Sequence, residues 1–263
     1  MFTINIRTLL SLCATATLAF SAEGFQGDGT AYTLDQVSSG NCNFMSSNAL
    51  APTNYAALNN AQWDNAANCG RCAQVSCVDS RCADQTASAI VQIVDRCPEC
   101  AYGALDLSPS VFKAITGFSP SRLAIQWQFV DCPNPGTIKI CTKSGSSRFW
   151  LAIQPTNTLV GVQNVRIEGQ FAMMLDGAYY FVANSAITDL SAVRVTITSV
   201  NMEVVVGTYS LVPGQCTDTN EQFSTTVNPT VTPAPYTPAT TQPPTQTPQP
   251  PTATKCYFRR NRH

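Results

Sequence analysis

The sequence predicts an all-β protein of two modules followed by a Thr/Pro-rich tail. Short alternating or apolar runs, separated by turn residues, recur from Gly27 to Val206. Most of the 12 cysteines crowd between Cys42 and Cys132, and the texture changes beyond Pro133-Asn134-Pro135-Gly136. From Ser224 to Lys255 the chain is almost entirely Thr, Pro, Gln and Ala, which favours extended, O-glycosylated chain and cannot bury a core. The expected boundaries are 1–22 for a signal peptide, 23–133 for a β-barrel, 134–216 for a β-sandwich and 217–263 for a disordered tail with a basic end.

The N-terminus has Arg7, an apolar run from Thr8 to Phe20 and small residues at Ala19-Phe20-Ser21, the pattern of an export signal too short to span a membrane. In an exported chain, dense cysteines mean disulfides. Cys69/Cys72 and Cys97/Cys100 also carry zinc-like spacing, an alternative that the extra cysteines around them disfavour. Cys141 and Cys216 lie near the two ends of the second module and can pair; Cys256 is left over by parity.

In the first module, Gly27 to Thr33 leads into a strand with Thr30 and Tyr32 on one face. Asn59 to Asp64 is polar around Trp63, which either lines a ligand groove or anchors a loop. Strands follow at Cys69–Val78, at Ala89–Val94, apolar enough to be buried on both faces, and at Leu123–Val130, where alternation is clean. Between the last two, the chain passes Asp95, a Cys97-Pro98-Glu99-Cys100 turn and Asp106. Ser108-Pro109 then supplies an N-cap and a first-turn proline for a short helix. A strand end, a crosslinked turn and a helix start can hold Asp95 and Asp106 in one cleft. In the second module strands are expected at Thr137–Thr142, Arg148–Gln154, Gln163–Glu168, Tyr179–Ala183, Val193–Thr198 and Met202–Val206, which suits a sandwich.

Charged residues make up 12% and the net charge is −1, so no basic surface is available for nucleic acid. The single histidine is His263, which removes histidine-dependent triads and histidine-rich metal sites. Neither metal nor organic cofactor is expected. Chemistry falls to carboxylates, tyrosines and hydroxyls, and a carboxylate pair suits glycosidic bonds. Asp106, between Leu105 and Leu107, is the natural acid, with a pKa raised by an apolar pocket; alternatively it caps local backbone amides. Lys143 to Trp150 sets two aromatics and two cations beside a turn, a means of holding sugar faces. In a regular strand Phe149 and Trp150 would point to opposite sides, and Tyr179-Tyr180 poses the same question.

These residues converge on a family. Thr30-x-Tyr32, Trp63-Asp64-Asn65 before Cys69-Gly70-x-Cys72, Val94-Asp95-x-Cys97-Pro98, Leu105-Asp106-Leu107-Ser108, and Lys143-x-Gly145 to Gln154 together resemble expansins and expansin-like proteins, over roughly 24–215. The resemblance implies a six-stranded double-psi β-barrel, like that of family 45 endoglucanases, followed by an immunoglobulin-like cellulose-binding sandwich. It implies loosening of cell walls without hydrolysis, with cellulose and matrix polysaccharides as partners and a monomeric, extracellular protein. It places Thr30, Tyr32, Asp95 and Asp106 in the barrel groove, and Lys143, Phe149 and Trp150 on the cellulose platform, whose third aromatic is sought at Tyr179. Where the related hydrolases carry a base, four residues after the threonine, this chain has Leu34, with Asp35 one place on. A one-residue shift in a strand would turn Asp35 to the other face. The rivals are an endoglucanase using Asp106 with Asp35 or Asp95, and a non-catalytic cellulose-adhering wall glycoprotein.

Overall fold

The computed structural model describes residues 24–224 except Pro120 and Thr188. The expected signal segment and the chain from 225 onward, with Cys256, lie outside the described residues.

Strands β1 (Phe25–Ala31), β2 (Tyr55–Asn59), β3 (Cys72–Cys77), β4 (Ser88–Cys97), β5 (Leu105–Leu107) and β6 (Leu123–Val130) close into a barrel in the order β1-β5-β2-β4-β3-β6. Closure comes from β6 returning antiparallel to β1, with Phe25 opposite Trp127, which leaves the barrel no open edge. The alternation of β6 points Leu123, Ile125 and Trp127 inward, where they meet Leu58, Ile93, Leu105 and Leu107. Trp127 keeps its indole N–H satisfied by donating to the Gly103 carbonyl, 2.8 Å away. β2 shows no alternation because all five of its residues are buried.

Gly27 and Gly103 cross at backbone contact. A Cβ on Gly103, whose φ is +81°, would lie 2.0 Å from the Gln26 carbonyl oxygen. That approach brings β5 in beside β1. Helix α1 (Asn60–Trp63) follows β2, and α2 (Pro109–Thr116) starts at the expected place, with Ser108 accepting from the Val111 amide and Pro109 in the first turn.

The second module has strands β7 (Lys139–Thr142), β8 (Ala152–Thr156), β9 (Val162–Ile167), β10 (Gln170–Phe171), β11 (Met173–Met174), β12 (Phe181–Val182), β13 (Val193–Ser199), β14 (Val204–Tyr209) and β15 (Cys216–Asp218). They form a sheet in the order β10-β9-β13-β14 and another in the order β11-β12-β8-β7-β15, whose buried faces share one core, a β-sandwich. Two expectations need correction. Arg148–Trp150 is a turn, not the start of a strand, and β8 begins only at Ala152. Nor does the tail begin at 217: β15 runs to Asp218, Thr219 donates to the Ile138 carbonyl and Phe223 is buried, so the module continues to Ser224.

The cysteines form Cys42–Cys69, Cys72–Cys132, Cys77–Cys82, Cys97–Cys100 and Cys141–Cys216. The zinc alternative is thereby overturned: Cys69 and Cys72 bond to different partners, and Cys97 bonds Cys100. Gln154, fully buried on β8, joins the modules: its carbonyl accepts from the Met45 amide, and its amide donates to the carbonyls of Cys42, Asn43 and Tyr179.

Candidate functional site

Strand register assembles the barrel site. Asp106 on β5 is the partner of Thr30 on β1 and of Ala57 on β2, and Ala57 is in turn the partner of Asp95 on β4. Thr30, Asp106, Ala57 and Asp95 thus form a row across four neighbouring strands. With strands ~4.8 Å apart, the two aspartates stand ~10 Å apart at Cα, separated by a single methyl group.

Each carboxylate takes a hydroxyl from the first strand and the residue following it. Thr30 Oγ1 donates to Asp106 Oδ1 at 2.7 Å, and Tyr32 Oη donates to Asp95 Oδ2 at 3.2 Å. The amides of Asn41 and Arg96 also donate to Asp95 Oδ1, at 2.7 and 2.8 Å. Burial pushes the Asp106 carboxyl above its ordinary pKa, and the carboxylates of Glu99 and Asp95 add to this, against the Thr30 hydroxyl and Arg122. Leu105 and Leu107 do not supply that burial: strand alternation turns both into the barrel interior, away from Asp106. The Tyr32 phenol is also held well above its usual range, first by burial and then by Asp95, so it stays a neutral donor.

Beyond Ala31 the chain leaves the strand. Leu34 is half-buried and its amide donates to Tyr55 Oη at 2.9 Å, while Tyr55 donates to the Tyr32 carbonyl at 3.2 Å. Strand parity therefore does not decide where Asp35 points. Asp35 is exposed and, with Leu34, Phe44, Met45 and Tyr55, lines a cavity of about 350 Å³. Sequence reasoning missed Tyr55, since it lies in a run whose residues are all buried.

On the sandwich, the turn after Lys143 leaves both aromatics outward: Phe149 is 72% exposed and Trp150 39%. Arg148 lies over the Phe149 ring at 4.6 Å, and Lys143 Nζ over the Tyr180 ring at 4.7 Å. Tyr179 is not part of this surface. It is only 1% exposed, packed edge-on against Phe44 and Phe181, and has no ring face open to a polysaccharide. Its neighbour Tyr180 meets Lys143 instead and donates to the Asn43 carbonyl. Among the described residues, no group of three or more His, Cys, Asp or Glu side chains is placed to hold a metal ion, and no helix is long and apolar enough to cross a membrane.

Comparison with known proteins places this architecture. A family model described as lytic transglycolase matches residues 55–127, which carry both aspartates. Expansin-YoaJ of Bacillus subtilis is 34% identical over 126 residues, covering 47% of this chain and 53% of that protein. Expansin-like protein 3 of Dictyostelium discoideum is 30% identical over 202 residues, covering 72% and 58%. The chain thus spans just over half the length of these two relatives. A mutant Clavibacter michiganensis expansin solved in complex with cellohexaose superimposes with a TM-score of 0.67 at 27% identity, over 78% of this chain and all of that one. The chain belongs to the expansin family. Its barrel is the double-psi barrel of the expansins, and the aligned span takes in the sandwich as well.

Proposed function

We propose that this expansin-family protein is exported, binds cellulose and matrix glycans of cell walls as a monomer, and loosens contacts between them without hydrolysing them. Leu34 carries the non-hydrolytic part of the reading. It stands where a hydrolase of this barrel type needs its base, and its amide is tied to Tyr55. Asp106 has the raised pKa of an acid, but Asp95 already accepts from Tyr32, Asn41 and Arg96, three donors on its about four acceptor sites, which leaves it little room to orient a water as base. Exposed Phe149 and Trp150 supply apolar faces for flat glucan chains, and the cellohexaose complex of the Clavibacter expansin supports a glucan ligand. A pair of assays tests the reading: tensile weakening of a cellulosic sheet, and soluble reducing sugar from amorphous cellulose. The expected result is weakening without sugar, lost in Asp106→Ala; weakening that survives that change removes Asp106 from the function.

The exposed carboxylate of Asp35, lining a cavity with Tyr55, favours one second reading, a slow endoglucanase with Asp106 as acid and Asp35 as base. Sugar release abolished by both Asp106→Ala and Asp35→Ala would establish it.

A further inference from the structure

Of the three donors on Asp95, two belong to the barrel strands or their ends. Arg96 is the next residue of β4, and Tyr32 follows β1. The third comes from elsewhere. The Asn41 amide donates to Asp95 Oδ1 at 2.7 Å, across 54 positions of sequence, from the loop between β1 and β2. A hydrogen bond to a carboxylate is charge-assisted, so this contact is among the strongest that fix how the Asp95 carboxyl group is turned. Whatever holds Asn41 in place therefore bears on the groove.

The barrel holds one side of this loop. Gly40 lies so close to β4 that a Cβ there would stand 2.4 Å from the Val94 carbonyl oxygen. The Cys42 amide donates to that same carbonyl at 3.1 Å, and Cys42 is crosslinked to Cys69. The sandwich holds the other side. The Cys42 carbonyl accepts from Gln154 Nε2 at 3.2 Å and from the Tyr179 amide at 3.4 Å. The next carbonyl, that of Asn43, accepts from Gln154 Nε2 at 3.2 Å and from Tyr180 Oη at 3.3 Å. Two consecutive carbonyls thus have two donors each, all from the sandwich, which occupies both lone pairs of each oxygen. Met45 adds its amide, donated to Gln154 Oε1 at 2.9 Å.

Gln154 and Cys42 are fully buried, so a bond lost between them is not taken over by water. The freed carbonyl then finds a partner only if the loop rotates its peptides, and Asn41, joined to Cys42, turns with them. Burial raises the Tyr180 phenol above its ordinary pKa, which keeps it a neutral donor to Asn43. A group that works on a ligand has to be held within about 0.5 Å of its productive place. No sandwich side chain needs to touch Asp95 for the sandwich to set it; the loop carries the constraint.

We infer that Gln154 and Tyr180 of the sandwich are positioning residues for Asp95 in the barrel groove, acting through the Asn41 amide. This rests on the reading that the groove acts on wall glycans.

The test uses the full chain and four variants. Tyr180→Phe keeps the ring beneath Lys143 and loses only the hydroxyl. Gln154→Leu removes the larger set of bonds, and Asp95→Ala removes the acceptor. Val195→Ala is the control: Val195 is a core residue of β13 paired with Gly207 and Ile167, so the change lowers stability without removing a bond to the loop. Two quantities are read, the Asn41 amide proton by NMR and the rate at which a cellulosic sheet weakens. Tyr180→Phe and Gln154→Leu are expected to move the Asn41 proton upfield, toward its place in Asp95→Ala. They should also slow weakening roughly fivefold, as for one lost hydrogen bond, while Val195→Ala does neither. Tyr180→Phe decides alone if Gln154→Leu does not fold. An Asn41 proton or a weakening rate that Tyr180→Phe leaves unchanged overturns the inference, as does an equal shift in Val195→Ala. If Asp95→Ala weakens the sheet like the native chain, the role of Asp95 in the groove falls as well. Loss of weakening in Asp95→Ala beside an unaltered Tyr180→Phe overturns the inference alone.

Discussion

Thr30 and Asp106, separated by 76 positions in the chain, are register partners on parallel strands and share a 2.7 Å hydrogen bond. Two residues after Thr30, Tyr32 makes the same kind of bond to Asp95. The first strand and the residue after it therefore supply a hydroxyl to each of the two groove carboxylates. Thr30→Val removes a donor that favours ionised Asp106, so the Asp106 pKa should rise further above its ordinary value. Carboxyl carbon NMR titration checks this; an unchanged or lowered midpoint would contradict it.

The raised pKa of Asp106 also predicts a pH dependence of stability. The folded state holds this proton more tightly than the unfolded one, so ionisation begins first in the unfolded chain, near the ordinary carboxylate value of about 3.9. The penalty is absent below that pH and grows until the raised folded value is passed. Asp106→Asn escapes it. The variant should gain stability relative to the native chain between pH 3.5 and pH 7, measured as urea midpoints at both, and a loss across that interval would reverse the sign.

Phe149 and Trp150 should behave differently from Tyr179. Alanine at either exposed position is expected to weaken binding to crystalline cellulose by about 1 kcal/mol, roughly fivefold, with little change in melting temperature. Tyr179→Ala empties a packed site and should cost ~3–5 kcal/mol of stability, the range for large aromatics. Depletion assays beside thermal unfolding separate the two effects.

Gln154 satisfies backbone groups of both modules at once. Gln154→Leu, close in size, leaves the Met45 amide and several carbonyls without their buried partner. The cost should be about 3 kcal/mol by urea unfolding, as expected for unsatisfied buried polar groups. A loss below about 0.5 kcal/mol, the usual range of surface substitutions, would mean that Gln154 does not couple the modules.

The disulfides should differ in worth by loop length. Cys72–Cys132 closes 60 residues and Cys97–Cys100 only 3. Chain-entropy scaling gives ~4 kcal/mol for the first and ~2 kcal/mol for the second. Paired Cys→Ala variants compared by denaturant midpoint test the order.

Much of this protein is determined locally. Clean alternation marked β6 because one face is core and the other wet, and Ser108-Pro109 marked α2 because capping chemistry acts within one turn. Asp95, Asp106 and the outward aromatics stood in motifs close in the chain. Tertiary structure decided the rest. β2, buried on every side, has no period to betray it. The turn before β8 set Phe149 and Trp150 both outward, where a regular strand would have put them on opposite faces, and burial moved Tyr179 from platform to core. Disulfide partners, the Gln154 bridge and the Asn41 amide on Asp95 join residues far apart in sequence. Alternation and capping are read over a few residues, whereas register, pairing and enclosure exist only once distant strands have closed on each other.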